Sequence, residues 1–281
     1  MITEEIARAK LFSSVEPGSA LFPREVATYG AVEVLKRIEA GLYKNGEKIL
    51  AADGEAVLRQ CEKAEIQFVT PENPNWPEVL FELASPPIAL TVKGNFSQLT
   101  NKSLAIVGSR NPTNYGIRTA SDFAAGFVDR GWSIISGGAY GIDAAAHKGA
   151  LIAEGVTIAV LAAGLDIIYP AGHTKLFADI AETGLLISEF APGVHALPAR
   201  FLTRNRLIAA LSSATLVVEA AFRSGALRTA RDAAELLRPV MAIPGPITSP
   251  LSEGCHRLIG ERAAEIVTSI ADAVEFIGIN Q

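Results

Sequence analysis

From Ser103 onward the apolar and polar positions of the chain switch repeatedly between two periods. Short apolar runs bounded by turn residues recur at Ser103–Gly108, Trp132–Ser136, Thr157–Ala163, Gly184–Glu189, Thr215–Ala220 and Pro239–Pro244, with a last one at Glu265–Thr268. Between them, apolar residues fall three and four apart. Such stretches start near Thr113 and near Gly141, and continue over His173–Thr183, Arg204–Leu211, Gly225–Leu237, Gly254–Ile259 and Ile270–Ile277. The runs predict buried parallel strands, and the stretches between them predict crossover helices. Strand–helix alternation of this kind implies an α/β chain with an open, mostly parallel sheet. Ligands of such sheets bind beyond the C-terminal ends of the strands.

The first hundred residues have a different pattern. Glu4–Leu11, Pro23–Gly30, Ala31–Ala40 and Gly54–Cys61 carry helical spacing and are separated by glycines, so residues 1–65 predict a small helical appendage. Over 66–100, five prolines (71, 74, 77, 86 and 87) forbid a long helix. Gln67–Thr70 and Ile88–Lys93 predict short strands there, making a connector that adds edge strands to a main domain over 66–281. The chain shows no internal repeat, low-complexity tract or heptad pattern, and it stops shortly after the last predicted strand.

Composition narrows the function classes. Of the 281 residues 49% are hydrophobic, ample for a buried core. The acidic start MITEEIARAK lacks the charge pattern of a signal peptide, and no apolar run reaches the roughly 20 residues of a membrane span. A soluble cytoplasmic protein with no membrane partner is expected. Cys61 and Cys255 lie far apart, and His147, His173, His195 and His256 lack metal-ligand spacing, so neither a disulfide framework nor a metal site is expected. The net charge of −5 argues against a general basic coat. Yet Arg200–Arg238 holds seven arginines against three acids. A local excess of this kind attracts polyanions, unless the arginines pair with those acids or lie solvated on helix faces.

The candidate chemistry lies in the glycine turns. In a parallel sheet, strand ends and helix N-termini share one edge, where free N–H groups and helix dipoles favour an anion. The first turn, Gly108-Ser109-Arg110, fails the dinucleotide pattern G-x-G-x-x-G because an arginine occupies the second glycine's place. No acid ends the following strand, where Ser136 precedes Gly137 and Gly138. Arg110 suits phosphate as a bidentate fork, the alternative being a structural pair with a carboxylate such as Asp143. The glycines of the second turn let a ligand approach the backbone. Asp143 reads as a cap for the next helix, and His147 as its neighbour on the same face. No nucleophile of definite motif stands beside them, and no catalytic residue is assigned. In the third turn Tyr169 either stacks a base or packs, and Lys175 is a candidate phosphate contact. Arg204, Asn205 and Arg206 open a predicted helix, where two cations oppose the dipole unless an anionic ligand is present. Ser224 and Gly225 form another anion-cradling turn, and Glu219 at the preceding strand end is expected to orient one of the arginines.

These motifs stand in a specific order: IVGSR (106–110), SGGAYGIDAAAH (136–147), GLDIIYP (164–170), SEFAPG (188–193), RNRLIAALS (204–212), LVVEAAFRSGALRTA (216–230) and IPGPITSPLSEGCHRLIG (243–260). Together they resemble the bacterial DNA-processing protein family DprA/Smf over most of residues 66–262. The resemblance implies an extended Rossmann-like domain that binds single-stranded DNA and loads RecA onto it in natural transformation and recombination. It further implies a homodimer, no catalysis and no cofactor. Carried over residue by residue, Arg110, Arg204 and Arg206 match positions lining the family's DNA pocket. Lys175 falls near a basic position, and Ser224 and Gly225 match the turn that borders the pocket. The chain departs from the pattern at His173 and His256, where the family often has Asn, and at Leu202-Thr203 in place of Phe-Pro. The family's N-terminal region is matched vaguely by 1–65, and the winged-helix-like C-terminal domain of some members has no counterpart.

The alternative is a nucleotide-metabolising enzyme of similar architecture, such as a LOG-type nucleoside monophosphate phosphoribohydrolase. Its turn P-G-G-x-G-T-x-x-E is poorly matched by RSGALRTARDAAE (223–235), which lacks the double glycine and the Gly-Thr pair.

Overall fold

The structure, a computed structural model, describes residues 2–44 and 46–279. Five helices come first: α1 (Glu4–Ser14), α2 (Phe22–Tyr29), α3 (Ala31–Glu39), α4 (Glu47–Ala51) and α5 (Gly54–Lys63). Strands β1 (Gln67–Val69) and β2 (Leu90–Gly94) follow. The alternating part then runs β3 (Ser103–Gly108), α6 (Asn114–Val128), β4 (Ser133–Ser136), α7 (Ile142–Ile152), β5 (Thr157–Leu161), α8 (Thr174–Thr183) and β6 (Leu185–Ser188). It continues with α9 (Pro198–Leu211), β7 (Ala214–Val218), α10 (Gly225–Glu235), β8 (Val240–Ala242), α11 (Glu253–Gly260), β9 (Glu265–Ile266) and α12 (Ile270–Ile279). The predicted α/β class is correct, and so is the run of strands. Short 3-10 turns at Glu78–Glu82, Phe96–Thr100 and Ala171–His173 lie in the stretches where proline and glycine interrupt the periodicity.

The chain divides into two compact units. The first comprises the residues up to Lys93 together with Leu161–Ile168 and Ile187–Arg204. Its core gathers Ala7 and Leu11 of α1, Val26 of α2, Val34, Leu35 and Ile38 of α3, and Ile49 of α4. β1 and β2 pair antiparallel, with Phe68 opposite Thr91. α3 begins after Gly30, which has no side chain to cap it. The Glu4 carboxylate of α1 supplies the acceptor instead, taking hydrogen bonds from the N–H groups of Ala31 and Val32 at 2.5 and 3.1 Å. Arg8, one turn further along α1, is buried; it reaches the Glu72 carboxylate at 2.7 Å and donates to the Ile88 carbonyl at 3.0 Å.

The second unit runs from Gly94 to Val160, resumes over Tyr169–Leu186, and continues from Asn205 onward. Its strands lie in the order β6-β5-β4-β3-β7-β8-β9. β3 pairs in parallel with β4 on one side and with β7 on the other, and the parallel pairing extends to β5, β8 and β9. The residues of β4, β5 and β7 are buried on both faces, as expected of strands covered by crossover helices. Leu104, Ile106, Ile134, Leu216, Val218 and Met241 of the sheet pack with Phe123 and Phe127 of α6. The chain leaves β3 toward β4 and later returns to its other side at β7. The strand order therefore reverses between β3 and β7, the place where open α/β sheets form their ligand crevice.

Both cysteines are buried, and burial pushes each thiol up to about 11. At pH 8 about a thousandth of either is thiolate, so alkylation by iodoacetamide is expected to be far slower in the native protein than in urea. The unfolded thiols, ionising near 9, lose their protons before the folded ones do. Stability is therefore expected to decline as pH rises from 9 toward 11, and urea midpoints across that range check it. Separately, Glu4→Ala removes the acceptor from the start of α3 and should cost about 1 kcal/mol in urea unfolding.

Candidate nucleic-acid interface

The C-terminal ends of β3 and β7 are joined by Glu219. Its carbonyl accepts from the Ser109 N–H at 2.7 Å, holding the two strand ends together one residue beyond their ladder. Its carboxylate is buried and takes two hydrogen bonds from Thr113, the residue that caps α6: from the N–H at 2.8 Å and from the hydroxyl at 2.5 Å. The Thr113 hydroxyl in turn accepts from Gly116 N–H at 3.3 Å. To reach this position Glu219 adopts φ 50°, the left-handed region that a non-glycine residue rarely visits. A side chain at Gly116 would collide with the Glu219 carboxylate, and one at Gly108 would collide with the Val218 carbonyl. The expectation that Glu219 orients an arginine is thus corrected: it serves the N-terminus of α6.

This arrangement decides what the first turn can bind. A carboxylate of the protein already occupies the helix N-terminus that a cofactor's pyrophosphate would use in a dinucleotide fold. The Ser109 hydroxyl shapes the turn by accepting from Asn111 N–H at 3.1 Å. Arg110, at the tip, is exposed.

The second turn abuts the first. Ile142 N–H donates to the Ser109 carbonyl at 3.0 Å. A Cβ on Gly141 would collide with that carbonyl oxygen and come within 2.8 Å of the Arg110 carbonyl carbon. Gly137 and Gly138 are buried, and Gly138 has φ 69°. Asp143 in the first turn of α7 accepts from Ala139 N–H at 3.3 Å, a hydrogen bond back to the turn that precedes the helix. His147 is fully buried, with Nδ1 2.6 Å from the Thr157 hydroxyl. That hydroxyl donates to the Ile134 carbonyl at 3.0 Å, so His147 Nδ1 is the donor of the pair. Such a histidine braces α7 against β5 and is out of reach of a substrate.

The stretch after β5 folds back on the second turn. His173 Nδ1 donates to the Gly138 carbonyl at 2.9 Å, and its ring stands edge-on to those of Tyr140 and Phe177. His173 is therefore buried structure, whereas Tyr140 and Tyr169 are each 51% exposed. Lys175 lies exposed on the first turn of α8, with its ammonium 2.9 Å from Asp179 on the same helix. Among the described residues no contact joins it to either glycine turn.

The helix carrying Arg204, Asn205 and Arg206 starts at Pro198, not at Arg204. Proline suits a first helical position, and Ala199–Thr203 extend the helix upstream of the apolar repeat that marked it. The three residues consequently lie in its second turn and beyond, and the supposed conflict between their charges and the dipole does not arise. Arg204 and Asn205 are buried, and Arg206 is half-buried. Asn205 donates to the Gly225 carbonyl at 3.2 Å, joining α9 to the first residue of α10. Ser224 caps α10 by accepting from Ala226 N–H at 3.2 Å, and Gly225 is exposed. Two turns on, Asp232 accepts from Arg228 at 2.6 Å; burial raises its carboxyl above the usual range, against the pull of that arginine.

The second unit thus brings together the turns at 108–110 and 137–141, and separately ties Asn205 to Ser224-Gly225. Sequence reasoning passed over Tyr140 and the capping role of Glu219. An aromatic residue amid turn glycines was a visible signal for the first, whereas nothing local to residue 219 revealed its partner 106 positions away.

The comparisons with known proteins agree with this architecture. The family model described as DNA recombination-mediator protein A matches residues 67–278. A putative DNA processing protein DprA of Mycobacterium tuberculosis is 41% identical over 291 residues, spanning 97% of this chain and 75% of the relative. The X-ray structure of DNA processing protein A from Streptococcus pneumoniae superposes with a TM-score of 0.86 at 33% identity, covering 98% of each chain. A Helicobacter pylori DNA processing protein A, solved to describe its single-stranded DNA binding mode, superposes at 0.69 with 31% identity over 77% of this chain and 96% of that one. With the family model matching residues 67–278 and relatives at 33–41% identity covering nearly the whole chain, this protein belongs to the DNA recombination-mediator protein A family, the DprA/Smf proteins.

Proposed function

We propose that the chain binds single-stranded DNA along the turn edge of its second unit and hands it to RecA, serving recombination and natural transformation in the cytoplasm as a homodimer and without catalysis. The observation that carries the reading is Arg110, exposed at the tip of a turn that leads into a helix whose capping residue, Thr113, is held by the Glu219 carboxylate. A guanidinium presented from a rigid turn suits the phosphates of a strand, and the position leaves no diphosphate cradle for a cofactor. Arg206 and the Ser224-Gly225 turn extend the candidate edge. Membership of a recombination-mediator family and the single-stranded DNA binding of the H. pylori relative support the same ligand. The burial of His147 favours binding over chemistry at the Asp143–His147 pair.

The homodimer reading is supported by the β9 end of the same unit. β9 ends the strand order, and beside it Leu237 and Ile266 are 91% and 46% exposed around a depression of about 600 Å³ that Ile259 and Phe276 also line. A second copy meeting this face by a twofold axis would cover both the apolar side chains and the short strand edge.

Titration of labelled oligo-dT at two salt concentrations tests the function, with duplex of the same length as control. Preferential, salt-sensitive binding of the single strand is expected, and equal affinity for both would overturn it. Arg110→Ala should weaken binding regardless of sequence and reduce the log–log salt slope by roughly 0.7, one phosphate contact. Glu219→Ala should cost about 2 kcal/mol of stability, by stranding the Thr113 donors, as well as loosening the turn that carries Arg110. Leu237→Glu combined with Ile266→Glu should convert a dimer to a monomer in light scattering while leaving the circular dichroism spectrum unchanged.

A further inference from the structure

We propose that Tyr140 is a stacking platform for an unpaired base, set beside the phosphate position of Arg110. The proposal rests on the single-strand reading above and deepens it by naming a second, chemically different contact.

Three observations converge on this residue. First, Tyr140 is an aromatic residue left 51% exposed in a unit that buries Phe123, Phe127 and Phe177. Second, its ring is held. The ring stands 4.6 Å from His173, centroid to centroid, at 74°. His173 is itself pinned by the Gly138 carbonyl at 2.9 Å and by the edge of Phe177. The Tyr140 hydroxyl lies over Gly172, where a Cβ would come within 2.6 Å of it. A ring immobilised before the ligand arrives loses little rotamer freedom on binding. Third, its backbone neighbour Gly141 is packed against the Ser109–Arg110 peptide so closely that any side chain there would collide. Tyr140 and Arg110 therefore flank one contact between two turns.

An exposed guanidinium and a fixed aromatic ring, adjacent on rigid backbone, select a ligand that carries phosphate and a free π-face in alternation. The unstacked nucleotides of a single strand do so, whereas the bases of a duplex are already stacked and paired. Stacking tolerates every base, so this contact contributes affinity and strand discrimination without sequence preference. It also adds no charge, and the salt dependence is left to the arginines.

The test uses the full chain and two oligonucleotides of equal length, one of dT and one whose central positions are abasic. Wild type is expected to prefer the dT strand. Tyr140→Ala should weaken dT binding about fivefold or more with an unchanged salt slope, and should bind the abasic strand as wild type does. Tyr140→Phe, which keeps the ring, should retain the preference. Equal weakening of Tyr140→Ala on both strands would assign the residue to turn structure and overturn the platform. So would full retention of the dT preference. If wild type binds dT and abasic strands equally well, the platform fails while the phosphate reading stands; if it binds neither, both fail. Should Tyr140→Ala not fold, Tyr140→Trp supplies the readout: its fluorescence is expected to be quenched by the dT strand and not by the abasic one, and the reverse or no difference counts against the platform.

Discussion

The buried carboxylate of Glu219 is the constraint from which the turn edge follows. A doubly wound sheet leaves a crevice where its strand order reverses, and beside it a helix whose first N–H groups lack acceptors. Many proteins of this architecture leave that acceptor to a bound phosphate. Here the chain supplies it from β7, through the pair of hydrogen bonds to Thr113. The geometry explains two glycines at once, since Gly108 must let the strand ends touch and Gly116 must clear the carboxylate. It explains the left-handed backbone at Glu219 as well, because an extended residue would carry the side chain away from α6.

A helix start capped by an acid from elsewhere in the chain occurs in both units. Glu4 does for α3, which follows a glycine, what Glu219 does for α6. The two differ in setting. Glu4 is partly exposed and shares its charge with Arg8, whereas Glu219 is buried at the switch point and held by neutral donors. The first contributes to the packing of a helical bundle. The second places a carboxylate of the chain at the start of α6, in the turn whose tip exposes Arg110.

Rigidity spreads from that point through contacts between successive turns. The Ser109 carbonyl accepts from Ile142, Gly138 holds His173, and His173 stands against Tyr140. Each link is short and local within the second unit, so side chains on three separate turns are fixed relative to one another before any ligand is bound. A surface ordered in this way loses little conformational entropy of its own on binding a ligand.

Much of this was determined by the sequence alone. The alternation of apolar runs with helical spacing prescribed the parallel strands, because burial on both faces demands continuous apolar residues and crossover helices demand a 3.6-residue period. Arg110 in the place of a glycine was enough to exclude a dinucleotide, since that feature depends on the identity of one residue in one turn. The family motifs were legible for the same reason. What only the tertiary structure decided were the partners. Whether Glu219 met an arginine or a helix N-terminus depended on the register of β7 beside β3, which no local spacing records. The true start of α9 was hidden because Pro198–Thr203 lack the apolar repeat, although the helix runs through them. The burial of Arg204 and His147, and the exposure of Tyr140 on a fixed ring, likewise depend on which segments pack together, and packing is decided across the whole chain at once.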